Sequence, residues 1–271
     1  MPFHKGIFLL LGLCLSLPAL AGEWYVCPWC GITSIQAAID AASPGDVIYV
    51  LEGTYRESLI ITKSISLIGV GRVVIEGARP GWPVIGIWTT SPGDVLGMVL
   101  GMDRPIEVTL EGLIIRGGPW VSDEVQCADY NANICPDGVA VKGRAKVTLR
   151  RLSIHDAGDD GISLGLNPEA TIERCYIEGN YDDGIHAWLG ARVHIEHCLI
   201  EVNGQSGIKL QSEYQLTDWL SLSVPVRAWI VGNVIQANGA YGIEAQTGEE
   251  IKACYGNTIR YNLEGPTNWG G

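Results

Sequence analysis

Basic residues are few in this 271-residue chain: 18 lysines and arginines stand against 30 aspartates and glutamates, for a formal net charge of −12. This acid excess excludes nucleic acid as a partner, because a phosphate backbone requires a basic face. It also means that a polyanionic ligand would need bridging cations. The five histidines and three methionines are too few for a copper-binding cluster.

Long apolar runs are absent after the first 21 residues. Residues 1–21 indicate a secretory signal, with Lys5 as its charge, an apolar core from Ile7 to Leu17, and a small-x-small cleavage site ending at Ala21. That stretch is too short to span a bilayer, and no later run approaches the roughly 18 apolar residues of a membrane helix. We therefore expect a secreted or periplasmic protein without a membrane span.

Export decides how the cysteines are interpreted. In an oxidising compartment, the close pairs Cys27/Cys30 and Cys127/Cys135 are predicted to form disulfides. Two alternatives remain open: a zinc site made from the same four residues, and a redox-active role for the CPWC sequence that holds the first pair.

Phenylalanine is also scarce, with two residues, whereas glycine is abundant, with 35. The segments PDGVAV, DDGISL, DDGIHA and QSGIKL place glycines at intervals of 23 residues: Gly138, Gly161, Gly184 and Gly207. Short β-branched runs between Gly and Asn are typical of strands, and one such unit cannot bury its inner face alone. The repeat predicts an all-β, single-stranded right-handed parallel β-helix of about nine or ten coils over residues 45–271.

Residues 22–44 are expected to form an N-terminal unit that contains the first cysteine pair and a short capping helix. Two insertions interrupt the repeat, at about 118–136 and 211–227. Asparagines recur near one turn of the coil, where their amides can satisfy neighbouring backbone groups: Asn180, Asn203, Asn238 and Asn262. Cys175 and Cys198 are 23 residues apart, and we expect them to be stacked, buried and reduced.

The segment SIQAAIDAASPGDVIYVLEGTYRESLIITKSISLIG, residues 34–69, resembles the opening of secreted β-helix proteins of the pectin-lyase-like superfamily, including the NosD-like and generic β-helix-repeat groups. The resemblance implies this fold for nearly all of the mature chain. Pectin methylesterases share a similar start, in which GTYRE matches their GxYxE. No later stretch here resembles their catalytic segments.

The sequence DDGIHAW, residues 182–188, raises the question of an active site. Asp137, Asp160 and Asp183 each precede a repeat glycine and should stack one above another. Turn formation alone explains an Asp before Gly. Stacked carboxylates about 5 Å apart nevertheless require either a raised pKa or a cation. The three aspartates are therefore predicted as catalytic groups and as a candidate Ca²⁺ site.

Side chains alternate along a strand, so the residues that follow the repeat glycines form outward columns. His186, Lys209 and Glu244 fall in one column, and Trp188 and Gln211 fall in the next. One insertion should lie along each long side of this face. We expect a groove for a polysaccharide or cell-envelope glycan, in which Trp188 stacks on a sugar ring while Gln211 and Glu244 bind hydroxyls.

The order of Asp137, Asp159-Asp160, His186 and Lys209 on successive coils is similar to that of the polygalacturonase motifs. This resemblance implies that Asp160 is a general acid and that Asp137 or Asp183 activates water.

A lyase or epimerase would instead use Lys209 or His186 as the base that removes a proton beside a uronate carboxylate. Two further alternatives remain: non-catalytic binding of a glycan, and a structural or NosD-like maturation role.

Overall fold

The structure, a computed structural model, describes residues 21–91, 97–98, 101–117, 134–217 and 220–268. The expected signal sequence lies almost entirely outside these ranges. The helix α1 covers Ile35–Ala41. The strands, in chain order, are β1 Glu23–Val26, β2 Val47–Arg56, β3 Leu59–Ile61, β4 Ile65–Glu76, β5 Ile85–Trp88, β6 Ile106–Glu111, β7 Ile114–Arg116, β8 Val139–Lys142, β9 Ala145–Arg150, β10 Ser153–His155, β11 Ile162–Gly165, β12 Glu169–Glu173, β13 Tyr176–Glu178, β14 Ile185–Trp188, β15 Arg192–Glu196, β16 Leu199–Glu201, β17 Ile208–Gln211, β18 Glu213–Thr217, β19 Leu220–Ser223, β20 Arg227–Val231, β21 Val234–Gln236, β22 Tyr241–Ala245, β23 Glu250–Tyr255, β24 Thr258–Arg260 and β25 Gly265–Thr267.

The strands stack in parallel on three faces of one coil, which confirms the right-handed parallel β-helix. The first face stacks β1-β2-β4-β6-β9-β12-β15-β20-β23, and the third face stacks β3-β5-β8-β11-β14-β17-β22-β25. The second face stacks β7-β10-β13-β16-β21-β24 and is continuous with the first through β4. Only β18 and β19 pair antiparallel among the described strands, as a hairpin in the second insertion.

The 23-residue register is confirmed on the third face. Ile162 pairs with Val139 on one side and with Ile185 on the other. The backbone N–H of Ile162 donates to the carbonyl of Gly184 at 3.0 Å, and equivalent bonds join the other repeat glycines. A Cβ atom at Gly184 would lie 2.6 Å from the Gly207 carbonyl oxygen, so only glycine fits this close approach.

The interior is a stack of aliphatic side chains with polar ladders at its corners. Ile162, Ile185 and Ile208 are fully buried in one column of this core. The asparagine ladder forms as expected, because the side-chain oxygen of Asn203 accepts from both the backbone N–H (3.2 Å) and the side-chain amide (2.8 Å) of Asn180.

The cysteines also follow the prediction where the structure describes them. Cys175 and Cys198 are free and buried. Cys27 and Cys30 form a disulfide, which leaves neither sulfur available for zinc. Cys135 is disulfide-bonded, while Cys127, its predicted partner, lies outside the described residues.

The N-terminal end of the coil is covered by α1. Ser34 caps this helix, and its hydroxyl accepts from the backbone N–H of Ala37. The carboxylate of Glu57 binds the Ser34 hydroxyl at 2.8 Å and the N–H groups of Ile35 and Gln36. Because Glu57 follows β2, these bonds fix the helix to the first coils.

The last described coil carries features that disfavour pairing with another chain. In β23 the register shifts so that Ala228 pairs with Ile251 and Trp229 with Ala253, which leaves Lys252 unpaired in a bulge. Pro266 in the edge strand β25 lacks an N–H donor. Bulges, lysine and proline are features that prevent an edge strand from pairing with another chain.

We expect Gly184→Ala to destabilise the fold by about 1–3 kcal/mol, since the new methyl group would overlap the Gly207 carbonyl. Chemical denaturation would measure this loss. Gly31→Ala is the matched control, because no atom lies within 4 Å of a Cβ at Gly31. Equal stability of the two variants would contradict the close stacking of the repeat glycines.

A Lys252→Val/Pro266→Val double variant should self-associate at concentrations at which the oligomeric state of the parent protein does not change. The two substitutions restore a flat, apolar strand edge. Size-exclusion chromatography with light scattering over a concentration series would detect this. Lys146→Val alters a strand inside the stack and serves as the control. An unchanged profile for the double variant would show that these residues do not protect the edge.

Candidate functional site

The three aspartates before the repeat glycines lie in one column at the turn that leads into the third face. Their Oδ1 atoms accept backbone N–H groups from the next coil: Asp160 N–H binds Asp137 at 3.3 Å, Asp183 N–H binds Asp160 at 3.1 Å, and Ser206 N–H binds Asp183 at 2.8 Å. One oxygen of each carboxyl group therefore has a structural role in the turn.

The second oxygens of Asp160 and Asp183 face outward columns of the next coil. His186 Nδ1 lies 3.1 Å from Asp160 Oδ2, and Lys209 Nζ lies 3.3 Å from Asp183 Oδ2. Both aspartates are buried, whereas the histidine and lysine side chains are 17% and 26% exposed. The structure thus brings four of the predicted catalytic residues together as two acid–base pairs on successive coils.

His186 is engaged through both ring nitrogens. Its Nε2 lies 3.1 Å from Gln211 Oε1, and the amide nitrogen of Gln211 donates to the Glu213 carbonyl at 2.8 Å. Burial disfavours the charged ring, but Asp160 and Asp183 more than offset this effect and raise the pKa of His186. His186 is therefore a proton-sharing partner of Asp160 and not a free base.

Lys209 is held in its charged form. Burial acts to lower its pKa, but the carboxyl groups of Asp183, Asp182 and Glu244 outweigh burial and raise it. Glu244, in the same column, accepts a hydrogen bond from the Ser206 hydroxyl at 2.8 Å. A charged lysine can neutralise an anionic group of a ligand, but it is a poor proton acceptor near neutral pH.

Two partly exposed aspartates, Asp159 and Asp182, lie beside this column. Burial, together with the neighbouring carboxyl groups of Asp160 and Asp182, raises the pKa of Asp159 to about 8. Burial and Asp160 raise the pKa of Asp182 as well. In each Asp-Asp-Gly sequence, backbone amides of the turn bind the second aspartate, which leaves the first more accessible. The Asp-Asp-Gly pattern is visible in the sequence and could have identified the first aspartate as the accessible acid.

The buried members of the column are also shifted. Burial, with a contribution from Asp160, raises the pKa of Asp183 to about 7. Burial and the carboxyl groups of Asp159 and Asp160 raise the pKa of Asp137 well above its usual range. Two members of the column, Asp137 and Asp183, therefore hold their protons to higher pH than an ordinary aspartate.

The predicted metal residues divide into two groups. Oxygens of Asp137, Asp159 and Asp160 lie within 4.8 Å of one another, and so do the ligand atoms of Asp160, Asp183 and His186. Asp137 and Asp183 belong to different groups because they are two coils apart. The second group already has Lys209 bound to Asp183. The three aspartates thus do not fit a single calcium site.

The expectation of an exposed Trp188 was wrong. Its side chain is 2% exposed and packs in an external cluster with Trp88, Met98, Leu166 and Leu189. The indole leans over the preceding coil, because a Cβ at Gly165 would lie 2.1 Å from its ring. Leu222 of the β18–β19 hairpin packs against the same cluster. This packing buries the indole on which a sugar ring was expected to stack.

Lys142 was missed by the sequence interpretation. It lies on β8 opposite Trp88 on one side and Gly165 on the other, and it is 1% exposed. Among the described residues, its Nζ atom has no hydrogen-bond partner. Burial lowers the pKa of Lys142 to about 8, although Asp137, Asp159 and Asp160 act in the opposite direction. An outward lysine on a strand ordinarily reaches solvent, so the sequence carried no signal of its burial.

The described part of the chain contains no helix with the length and apolar character required to cross a membrane.

No curated protein matches the sequence. Among solved structures, the chain is similar to pectate lyase Pel9A at 14% identity, with a TM-score of 0.51 and coverage of 91% of this chain and 72% of that one. Alginate lyase from Paenibacillus sp. str. FPU-7 is similar at 15% identity, with a TM-score of 0.49 and coverage of 92% and 98%.

A protein of Geobacillus virus E2, ORF18, is similar at 15% identity with a TM-score of 0.48; the match covers 78% of this chain but 46% of that one, so the chain spans about half of its length. The likeness to Pel9A shows the fold. The family model for the right-handed β-helix region matches residues 130–271, more than half of the sequence. The chain therefore belongs to the right-handed β-helix family.

Proposed function

We propose that the outer surface of the third face binds an extended polysaccharide and acts on it by acid–base catalysis. The observation that carries this proposal is the pairing of Asp160 with His186 and of Asp183 with Lys209 on successive coils, next to a partly exposed aspartate. Repetition at the coil spacing suits a polymer that presents the same groups repeatedly. Pel9A, which shares the fold, is a pectate lyase.

Asp159 is the proposed proton donor. Both oxygens of Asp160 are engaged, by the Asp183 N–H and by His186, so it cannot approach a substrate as easily as its neighbour. Asp159 is partly exposed, and its raised pKa keeps it protonated near neutral pH. A positioned acid of this kind protonates a leaving oxygen.

Lys209 is the proposed binding group for an anionic substituent such as a uronate carboxylate. Its side chain is partly exposed, and Asp183, Asp182 and Glu244 hold it in its charged form. Asp182, one coil beyond Asp159, is the accessible carboxyl group that could accept a proton once ionised. This assignment replaces Lys209 and His186 as candidate bases.

Non-catalytic glycan binding is the second candidate. It is favoured by the closed network of Asp160, His186 and Gln211, in which each polar group already has a partner. Such a network is rigid and suits recognition as well as chemistry.

Incubation of the mature protein with a panel of polysaccharides tests the proposal. New reducing ends without ultraviolet absorbance indicate a hydrolase, absorbance of unsaturated uronates indicates a lyase, and retention without products indicates a binding protein. We expect Asp159→Asn to lower turnover by about 10²–10⁴-fold while binding is kept. Glu264→Gln, an exposed change in the last coil, is the control. Unchanged turnover in Asp159→Asn would exclude it as the acid.

The pH dependence of stability provides a test without substrate. Because the pKa of folded Asp159 is about 8 against a usual value of 3.8, the folded state retains a proton that the unfolded state releases between these values. Stability therefore falls as pH rises through this window. We expect the melting temperature of the parent protein to fall from pH 5 to pH 8, and to fall less in Asp159→Asn.

Glu264→Gln should follow the parent curve. Parallel curves for the parent and Asp159→Asn would show that Asp159 ionises normally in the folded protein.

A further inference from the structure

A serine, a histidine and a glutamate lie in contact on the second face, away from the aspartate column. Ser153 and His155 are both on β10, and Ile154 between them is fully buried, so both of their side chains point outward. The Ser153 Oγ atom lies 3.4 Å from His155 Nε2. On the other side of the ring, His155 Nδ1 lies 3.3 Å from Oε1 of Glu178. The contacts therefore connect a hydroxyl, an imidazole and a carboxylate in series.

The coil register holds this arrangement in place. On the next coil, His155 pairs with Glu178, and Ser153 pairs with Tyr176. The Tyr176 ring meets the imidazole edge to face, with ring centroids 6.4 Å apart. Its hydroxyl also lies within hydrogen-bond distance of Oε2 of Glu178 and of Glu201. One oxygen of Glu178 is thus bound by the tyrosine, while the other faces the histidine.

The position of Glu178 determines which nitrogen of the imidazole carries the proton. An ionised carboxylate can only accept, so it favours the hydrogen on Nδ1 of His155 and leaves the lone pair of Nε2 directed at the Ser153 hydroxyl. A nucleophilic serine is activated by this order of contacts, in which a base binds the hydroxyl and a third group orients the base. The two distances are long for hydrogen bonds, as is common for catalytic groups before a substrate binds.

The reacting groups are accessible, and a positive charge lies beside them. Ser153 is partly exposed, and the side chains of His155 and Glu178 are 19% and 34% exposed. Arg116 is the register partner of His155 on the preceding coil, and its side chain is 43% exposed. One of its guanidinium nitrogens, Nη1, contacts Glu76. Since a guanidinium group has five N–H donors, Arg116 can also stabilise an oxyanion that forms beside the histidine.

We propose that Ser153, His155 and Glu178 form a catalytic triad that hydrolyses small, uncharged acyl esters. Ile114 flanks Ser153 on the preceding coil and Tyr176 flanks it on the following coil, which suits a short apolar acyl group. The carboxylate of Glu178 disfavours an anionic one. This activity is separate from the function proposed for the third face, because it uses other residues and a different bond.

The reaction is balanced as an ester hydrolysis. Ser153 Oγ attacks the carbonyl carbon while its proton passes to His155 Nε2, and the tetrahedral intermediate expels the alcohol, which takes the proton from Nε2. Water then attacks the acyl-serine and gives a proton to Nε2. The bond between the acyl carbon and Oγ breaks, and Oγ recovers that proton. One ester and one water give one carboxylic acid and one alcohol, and Glu178 serves as a positioning residue throughout.

Covalent labelling and ester hydrolysis test the triad. A fluorophosphonate should label Ser153, as located by peptide mass spectrometry, and the label should be absent from that position in Ser153→Ala. The protein should release acetic acid from triacetin, an unactivated ester, as measured in a pH-stat. We expect His155→Gln to lower this rate by about 10²–10⁴-fold, and Ser153→Ala to lower it at least as much. Both substitutions are on the outer surface, so circular dichroism should show the fold of the parent protein.

Thr258→Ala is the matched control. Thr258 lies in the same outer column of the second face as Tyr176, Leu199 and Val234, and it carries a hydroxyl group. The residue two positions after it is Arg260, whereas His155 follows Ser153. Thr258→Ala should keep the labelling and the hydrolysis of the parent protein.

The role of Glu178 is tested by separating kcat from KM. Because Glu178 orients His155 and does not touch the ester, Glu178→Gln should lower kcat while KM is unchanged, and should slow the labelling of Ser153. Glu178→Asp keeps the carboxylate and should restore part of both rates. A residue that only stabilised the fold would not give this separation or this rescue.

Three results would overturn the proposal. One is a folded parent protein that neither reacts with the fluorophosphonate nor hydrolyses triacetin. Another is a label on a residue other than Ser153. The third is triacetin hydrolysis that proceeds at the parent rate in Ser153→Ala, since the serine would then not be the nucleophile.

Discussion

The hydrogen-bonded register between successive coils is the constraint on which the rest of the structure depends. Each repeat glycine presents its carbonyl to the amide of the preceding coil, and a side chain at that position would collide with the next carbonyl. Once this contact is fixed, every other position of the repeat is placed above its equivalent one coil away. The core, the asparagine ladder and the acidic column all follow from that single alignment.

The register also explains why the fold was predictable from the sequence. A period that recurs at Gly138, Gly161, Gly184 and Gly207 determines which side chains point inward, and the buried isoleucines lie where the alternation placed them. The capping helix was predictable for a similar reason, since Ser34 and the apolar stripe are local signals. These features depend on short-range pattern and on the repeat, and both can be read without the structure.

The site was only partly predictable, because exposure depends on what the insertions cover. The register placed His186 and Lys209 in one column, and they do lie together beside Asp160 and Asp183. It could not show that Trp188 leans over Gly165 inside an apolar cluster, or that Lys142 is buried. Those facts depend on how individual side chains pack against their neighbours, including Leu222 of the second insertion, and the period does not determine that packing.

Identical polar residues can be stacked without other partners only when their side chains both donate and accept hydrogen bonds. An asparagine amide both donates and accepts, so Asn180, Asn203 and Asn238 satisfy one another from coil to coil. A carboxylate only accepts, so a column of aspartates must obtain donors from elsewhere. Backbone amides supply one donor for each aspartate, His186 Nδ1 lies within hydrogen-bond distance of Asp160, and Lys209 forms an ion pair with Asp183. The basic residues beside Asp160 and Asp183 therefore offset part of the cost of stacking the acidic column, and they place a histidine and a positive charge on one surface of the coil.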